Sequence, residues 1–361
     1  MFNELDTAAK FRLSSKPVSA KGFGCGHINS TYRVECEDGN KYLLQRINDH
    51  VFPDVEGLMN NIDKVTSFLK KKIIERGGDP DRETRTVVKT LDGKNYIKEE
   101  DGTYWRVFLF IDNTTVLQVV ENPIHFYYTG KAFGNFQNLL ADFPATELVE
   151  TIPNFHNTIS RYADFERQIN ENRSGRAECV KDEIEFAKKY KWVASELYPL
   201  IEKGELPLRV THNDTKLNNV MLDEKTGEPV CVIDLDTVMP GLSLYDFGDS
   251  MRFGTNPAAE DEKDLSKVYC DLGLFEEYSR GFLEECGSKL TKKEIELLPM
   301  SAIVMTYECG IRFLADYVDG DNYFKTDYPE HNLDRARTQF KLVADMEQKL
   351  GEMKKIVEKY V

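Results

Sequence analysis

"RVTHNDTKLNNVMLD", residues 209–223, is the stretch that decides how this chain is to be interpreted. A strand-like apolar run leads into a loop that holds His212, Asp214, Lys216 and Asn219. A few residues later, "VCVID" ends a second apolar run on Asp234. Polar groups at this density are costly to bury between hydrophobic strands. The two stretches therefore indicate a functional site rather than a scaffold.

The composition favours a globular chain of two domains, since 361 residues with 41% hydrophobic side chains can form a large core. The formal charge of −15 argues against nucleic acid and against anionic membranes as partners. The seven cysteines are dispersed and the first twenty residues lack the apolar segment of a signal peptide. We therefore expect reduced thiols and a cytoplasmic protein.

The pattern along the chain changes from strand-like to helical. Residues 30–48 alternate on both sides of an Asp-Gly turn and predict a β-hairpin, whereas apolar residues at helical spacing from Val55 to Leu69 predict one helix. Residues 84–111 predict three short strands. Helical periodicity then dominates from about Pro123, except in the strand–loop–strand region already described. We expect an α+β chain with a nucleotide-binding domain over 1–111 and a catalytic and acceptor-binding domain over 112–361.

The loop has the spacing H-x-D-x-K-x-x-N, which is that of kinase catalytic loops. Phosphoryl transfer needs a carboxylate that orients and deprotonates the acceptor, positive charge, and ligands for Mg²⁺. The predicted base is Asp214 and the predicted cation is Lys216. Asn219 and Asp234 are the predicted Mg²⁺ ligands, because this ion prefers oxygen and takes few protein groups. A capped turn would explain any one of these residues, but not all of them together.

The chain resembles the aminoglycoside phosphotransferase and choline kinase superfamily in this loop. Further segments are similar to bacterial N-acetylhexosamine 1-kinases, and these are "GHINSTY" (26–32), "DFGDSMRFG" (246–254), "CGIRFLADYVDGDNYF" (309–324) and "YPEHNLDRARTQ" (328–339). The resemblance implies a two-lobed protein-kinase-like fold, with a small β-rich lobe containing one helix and a large helical lobe. It also implies ATP-dependent phosphorylation of N-acetylglucosamine or N-acetylgalactosamine at the anomeric hydroxyl.

The resemblance further implies which residues contact the sugar, namely His27, Asp214, Thr237, Phe253, Arg312 and Tyr323. It implies that Asp246 buttresses the catalytic loop. Two alternatives stay open from the residues themselves. Asp236 either binds a second metal or water, or accepts backbone N–H groups at a strand end. Arg312 could instead be a helix-surface residue paired with Asp316 one turn on.

The expected nucleotide contacts lie in the first domain. Gly24 and Gly26 stand where a phosphate-covering hairpin belongs, since glycine lets the backbone approach the triphosphate. The segment "FLFIDN" (108–113) is the expected hinge, with Phe110 and Asp112 at the adenine.

One position departs from the usual kinase pattern. Gln45 stands where other kinases place a cation that grips the phosphates, and its neighbour Arg46 is the alternative because adjacent strand residues face opposite ways. The carboxylate partner on the following helix is either Asp63 or Glu56.

The expected partners are ATP or another nucleoside triphosphate, an N-acetylhexosamine and Mg²⁺, and the expected state is a monomer. A kinase for another small alcohol, such as choline or an aminoglycoside, is the alternative enzyme. A catalytically inactive kinase fold that binds ligands is the alternative from a different class. The preference between the two hexosamines stays open.

Overall fold

The computed structural model describes residues 4–24 and 28–361. Two predicted contacts, Gly26 to the nucleotide and His27 to the sugar, lie outside the described residues. The strands are β1 Pro17–Gly22, β2 Ser30–Cys36, β3 Lys41–Ile47, β4 Val87–Val88, β5 Ile97–Lys98, β6 Tyr104–Leu109, β7 Thr114–Thr115, β8 Arg209–Thr211, β9 Val220–Asp223, β10 Pro229–Val232 and β11 Met239–Gly241. The helices are α1 Glu4–Ala8, α2 Val55–Glu75, α3 Pro123–Leu139, α4 Thr158–Glu171, α5 Lys181–Lys189, α6 Tyr198–Glu202, α7 Ser243–Gly254, α8 Leu272–Cys286, α9 Lys292–Asp319 and α10 His331–Glu358.

The chain forms two compact units, and each is assembled from three separate segments of the chain. The first unit contains Met1–Thr115, Asp142–Pro153 and Met221–Pro240, and the second contains Val116–Ala141, Asn154–Val220 and Gly241–Val361. The reason lies in strand pairing. The β9–β10 hairpin adds to β7 through the antiparallel pairs Thr114↔Asp223 and Thr115↔Leu222, so most of this late hairpin joins the first unit.

The first unit is built on an antiparallel sheet of order β1-β2-β3-β6-β4, with β5 also on β6. The predicted hairpin is confirmed, since β2 and β3 pair from Ser30↔Arg46 to Glu35↔Lys41. One face of the sheet packs into an apolar cluster that includes Val34, Leu44 and Val107. Because successive strand residues alternate in direction, the opposite face presents Thr31, Gln45 and Arg106, which are aligned across β2, β3 and β6.

Helix α2 confirms the predicted helix of this unit. The Asp54 carboxylate accepts a hydrogen bond from the Gly57 N–H at 2.9 Å and so caps the helix start. The helix ends at Glu75, and Gly77 then takes a positive φ of 79° that glycine adopts without strain.

The second unit is a helical assembly around α9. Helices α7 and α9 pack closely because Gly248 carries no side chain: a Cβ there would lie 2.4 Å from the Ser301 carbonyl oxygen. The start of α9 is capped by Thr291, and its Glu294 carboxylate also binds the Arg209 guanidinium at 2.6 and 2.7 Å. Arg209 opens β8, so this ion pair fixes the strand that leads into the catalytic loop.

Helix α9 is long and apolar enough to cross a membrane by length and composition, and it is the one such helix in the described part of the chain. A buried core helix passes the same test, and 78% of its apolar window is buried inside the protein. This helix alone therefore gives little indication of a membrane span.

Candidate active site

The catalytic loop of the second unit follows β8 and ends in a short 3₁₀ turn, Leu217–Asn219. Asn213 takes a left-handed conformation, with φ at 65°. For a residue other than glycine this conformation costs about 1–2 kcal/mol, although asparagine tolerates it better than most. Surrounding contacts must therefore hold the loop in place.

Asp246, on α7, supplies the first of these contacts. Its carboxylate accepts hydrogen bonds from the backbone N–H of His212 at 3.0 Å and of Asn213 at 2.7 Å, and the Gln137 amide donates to it as well. Complete burial raises the pKa of Asp246, and the nearby His212 and the two N–H donors oppose that rise. These contacts agree with the buttressing role that the resemblance implies.

Asp249 supplies a second contact that the sequence analysis missed. It accepts from the backbone N–H of Thr215 at 2.9 Å and from the Arg252 Nε at 3.0 Å. Burial alone would raise the pKa of Asp249, but the Arg252 guanidinium, helped by His156 and Lys216, lowers it below its ordinary value. The available signal was the Asp–x–x–Arg pair within "DFGDSMRFG", since residues three apart share a helix face.

Asp214, Lys216 and Asn219 lie together, as the loop spacing predicts. The Asp214 carboxylate is 3.0 Å from the Lys216 Nζ, and the Asn219 amide nitrogen donates to its Oδ2 at 3.1 Å. The same nitrogen donates to the Asp214 carbonyl at 2.8 Å. The amide oxygen of Asn219 is thus the atom left to face a cation, and oxygen is the donor that Mg²⁺ prefers.

Asp234, the other predicted metal ligand, belongs to the first unit. It directly follows β10 and takes a left-handed conformation, with φ at 61° and ψ at 59°. The negative charge of Asp234 affects the buried Arg85. Burial lowers the pKa of Arg85 to about 10, and the charges of Cys231 and Asp234 each raise it. A carboxylate held at a strand end is a donor of the type Mg²⁺ accepts.

The Asp236 carboxylate is bound by side chains, and its binding of a second metal or a water stays a prediction. Its carboxylate forms a bidentate ion pair with Arg106, at 2.5 and 3.0 Å, and accepts from the Asn29 amide at 2.7 Å. Arg106 in turn donates through Nε to the side-chain oxygen Oε1 of Gln45 at 3.0 Å, and the side-chain nitrogen Nε2 of Gln45 donates to the Thr31 hydroxyl at 3.1 Å. A polar ladder therefore runs across three strands and ends on the carboxylate two residues after Asp234.

The ladder identifies Arg106 as the buried cation on this face of the sheet. Gln45 lies on the Arg106 face, and Arg46 is exposed on the other face. The predicted helix partners are placed differently: Asp63 pairs with Lys89 at 2.7 Å, and Glu56 is exposed. The carboxylate that binds the buried Arg106 is thus Asp236, whose segment lies beyond β10, and not a carboxylate of α2. Phosphate contact by Gln45 stays a prediction.

The predicted nucleotide contacts Gly24, Phe110 and Asp112 lie in the first unit, and their contact with a nucleotide stays a prediction. Gly24 has a φ of 78°, and the Phe110 ring meets Phe23 edge-to-face at 5.3 Å. Asp112 pairs with Lys41 at 2.6 Å. The sequence analysis did not single out Phe23, although the sequence shows an aromatic residue between two glycines.

Arg312, on α9 of the second unit, points its guanidinium into a cage of aromatic rings. The guanidinium carbon lies 5.4 Å from the Phe155 ring centre, 5.6 Å from Tyr323 and 5.5 Å from Phe324. Its hydrogen bond, to the Tyr323 hydroxyl, is long at 3.5 Å. Within the described residues no carboxylate forms an ion pair with it.

The alternative pairing of Arg312 with Asp316 is wrong. The Asp316 carboxylate accepts from the backbone N–H groups of Asn322, Tyr323 and Phe324 at 2.8–2.9 Å. These three bonds hold the loop after α9 against the end of the helix, and this loop carries the Tyr323 and Phe324 rings that contact Arg312. Of the other predicted sugar contacts, Phe253 is half-buried in α7 of the second unit and Thr237 is buried in the first unit.

Comparison with known proteins places these residues in context. Residues 19–280 match the phosphotransferase enzyme family, APH. A microcompartment-associated aminopropanol kinase is 14% identical, with 97% of both chains covered and a TM-score of 0.61. An aminoglycoside phosphotransferase from Alicyclobacillus acidocaldarius is 14% identical over 99% of this chain and 97% of that chain, with a TM-score of 0.62. A choline kinase from Cryptosporidium parvum is 14% identical over 92% and 90%, with a TM-score of 0.57. At this identity the three structures show a common fold.

Proposed function

The chain belongs to the phosphotransferase enzyme family, and within it we propose that the protein transfers the γ-phosphoryl group of ATP to the anomeric hydroxyl of an N-acetylhexosamine. One observation supports this acceptor above the others: the Arg312 guanidinium stands among three aromatic rings without a carboxylate partner in the described residues. We further propose that the enzyme is a cytoplasmic monomer.

Arg312 suits a neutral, oxygen-rich acceptor. A guanidinium offers several directed N–H donors, which match ring hydroxyls and an acetamide carbonyl. Aromatic rings supply apolar faces for the sugar ring and the acetyl methyl. Arg161 places a second guanidinium 5.9 Å from the centre of the same Phe155 ring, and burial and then the Arg312 charge lower the pKa of Arg161. Two guanidinium groups at one site would repel the ammonium group of choline or of an aminoglycoside.

The remaining predicted residues have roles that follow from their chemistry. Asp214 would orient the anomeric hydroxyl and accept its proton, which is more acidic than that of an ordinary alcohol. Lys216, 3.0 Å from Asp214, places a positive charge beside it. A Mg²⁺ ion held by Asn219 and Asp234 would neutralise charge on the phosphates when bound. The proposed nucleotide contacts are Gly24, Gly26, Gln45, Phe110 and Asp112, and the proposed sugar contacts besides Arg312 are His27, Thr237, Phe253 and Tyr323.

An acceptor panel tests the proposal. The enzyme is incubated with ATP and Mg²⁺ and, in turn, N-acetylglucosamine, N-acetylgalactosamine, their 1-O-methyl glycosides, choline and an aminoglycoside. We expect a product whose phosphorus NMR signal is that of a sugar 1-phosphate, and no product from the methyl glycosides. Faster turnover of choline or an aminoglycoside than of both hexosamines would refute this acceptor. An absence of turnover on every acceptor would support the inactive kinase fold.

A further inference from the structure

A buried histidine–glutamate pair lies beside the catalytic loop and is not accounted for by the roles assigned so far. The His156 Nδ1 is 2.8 Å from the Glu308 Oε1, and both side chains are almost fully buried, at 6% and 1% exposure. The other carboxylate oxygen of Glu308 accepts from the Thr158 hydroxyl at 2.6 Å. On its far side, the His156 Nε2 is 3.2 Å from the carbonyl oxygen of Asn213.

That carbonyl belongs to the peptide group that precedes the predicted base. Asn213 is the left-handed residue of the loop, and its N–H already donates to Asp246 at 2.7 Å. His156 therefore holds the other side of the same residue. We propose that Glu308 and His156 are positioning residues that fix the Asn213–Asp214 peptide, and through it the direction of the Asp214 carboxylate. The inference rests on Asp214 being the base of the proposed reaction, but not on which acceptor is used.

The donors and acceptors of this contact fit the assignment. A backbone carbonyl only accepts, and an ionised carboxylate only accepts. Burial alone would raise the pKa of Glu308, but His156 and, more weakly, Arg312 lower it below its ordinary value. The His156 ring lies between these two acceptors and so links the Glu308 carboxylate on α9 to the Asn213 carbonyl of the loop.

The pair also joins the loop to the helix that carries the proposed acceptor contact. Glu308 and Arg312 are four residues apart on α9 and therefore lie on the same face. Phe155, next to His156, packs its ring under the Arg312 guanidinium. One turn of α9 therefore positions both the proposed base, through His156, and the proposed acceptor contact. A helix holds side chains more precisely than a loop does.

Kinetics of four variants separate positioning from stability alone. His156→Ala removes the contact to Asn213, and Glu308→Ala removes its support. We expect kcat to fall about 10²-fold in both, the scale of a small misplacement of a reacting group, while the KM for ATP stays within about twofold of wild type. Glu308→Gln can still hold the ring by donating to Nδ1, so its kcat should fall less than about tenfold.

Thr158→Val is the matched control, since it also removes a buried hydrogen bond to Glu308 but leaves the contact between His156 and Asn213. We expect it to lower the melting temperature while kcat stays near that of wild type. The active fraction of each variant is measured by stoichiometric ATP binding. An unchanged kcat in His156→Ala, or an equal loss of kcat in Thr158→Val, would overturn the inference.

A double variant covers the case in which a buried unpaired charge prevents folding. His156→Phe with Glu308→Leu replaces the pair by apolar side chains, an exchange that is often neutral for stability. It should fold and show the same loss of kcat, and wild-type turnover would refute the inference. If the wild-type enzyme phosphorylates an acceptor other than an N-acetylhexosamine, the proposed acceptor fails, and the variants are then compared on the acceptor that is used.

Discussion

Replacing Arg106 with methionine tests the buried ion pair of the first unit. The Arg106 and Asp236 side chains are 2% and 5% exposed and bind each other in two-point contact at 2.5 and 3.0 Å. Removing one member leaves the other charge buried and unpaired, which costs about 3–5 kcal/mol. Methionine keeps most of the apolar stem, so little of the loss should come from packing. We therefore expect the free energy of unfolding of the first unit to fall by about this amount.

The two tryptophans allow the first unit to be followed separately. Trp105 lies on β6 in the first unit and Trp192 lies in the second. Urea unfolding is monitored by Trp105 fluorescence in a Trp192→Phe background. The matched control is Arg46→Met, which removes an exposed arginine from β3 and should change the free energy of unfolding by less than about 0.5 kcal/mol. An Arg106→Met variant that loses no more stability than this control would refute the reasoning.

A double variant, Arg106→Met with Asp236→Leu, then separates stability from function. Replacing both members by apolar residues should restore most of the stability. It also removes the hydrogen bond that the Asn29 amide donates to Asp236 at 2.7 Å, and this bond links the start of β2 to the segment that carries Asp234. We expect the KM for ATP to rise even where stability is recovered. Wild-type ATP kinetics in a stable double variant would show that the pair has no part in placing Asp234.

Three further predictions concern the roles of single residues. Asp214→Asn should lower kcat by about 10²–10⁴-fold with the fold intact by circular dichroism, because the amide cannot accept the proton; near wild-type turnover would remove Asp214 as the base. Gln45→Ala should reduce activity with ATP far less than Asp234→Ala, since the neutral amide offers one hydrogen bond whereas the carboxylate would bind the metal. Equal inactivation of the two variants would refute this ranking. Arg312→Ala should raise the sugar KM strongly and leave the ATP KM nearly unchanged in steady-state assays, whereas a surface ion pair would be worth under about 1 kcal/mol and would not affect sugar affinity.

The parts of the site that the sequence predicted are those whose members are close in the chain. Asp214, Lys216 and Asn219 fall within one loop, and their spacing alone brings the side chains together. The hairpin of β2 and β3 was equally local, because an Asp-Gly turn between alternating runs determines its register.

The missed contacts are those that depend on strand register or on helix packing. Arg106 and Asp236 are 130 residues apart, and only the folded chain brings Asp236 to the face of the sheet where Arg106 stands beside Gln45. His156 and Glu308 are 152 residues apart. No spacing rule connects such positions.

The alternative pairing of Arg312 with Asp316 is wrong for a different reason. The spacing of four residues was correct for a helix pair, but Asp316 stands in the last turn of α9, where the following loop supplies backbone N–H donors. Three donors from a folded loop, at 2.8–2.9 Å, compete for the same carboxylate. Arg312 instead contacts the rings of Tyr323 and Phe324, which belong to the same loop.

The contacts around the catalytic loop explain why it can keep a strained residue. The left-handed Asn213 costs about 1–2 kcal/mol, and Asp246 and Asp249, three residues apart on one face of α7, bind backbone N–H groups on either side of Asp214. Since His156 binds the Asn213 carbonyl as well, the backbone around the predicted base is fixed before any substrate arrives. A base that is already oriented needs little rearrangement during the reaction. Substituting the buried residues of α7 and α9 that bind this backbone should therefore lower turnover even where the Asp214 side chain is unchanged.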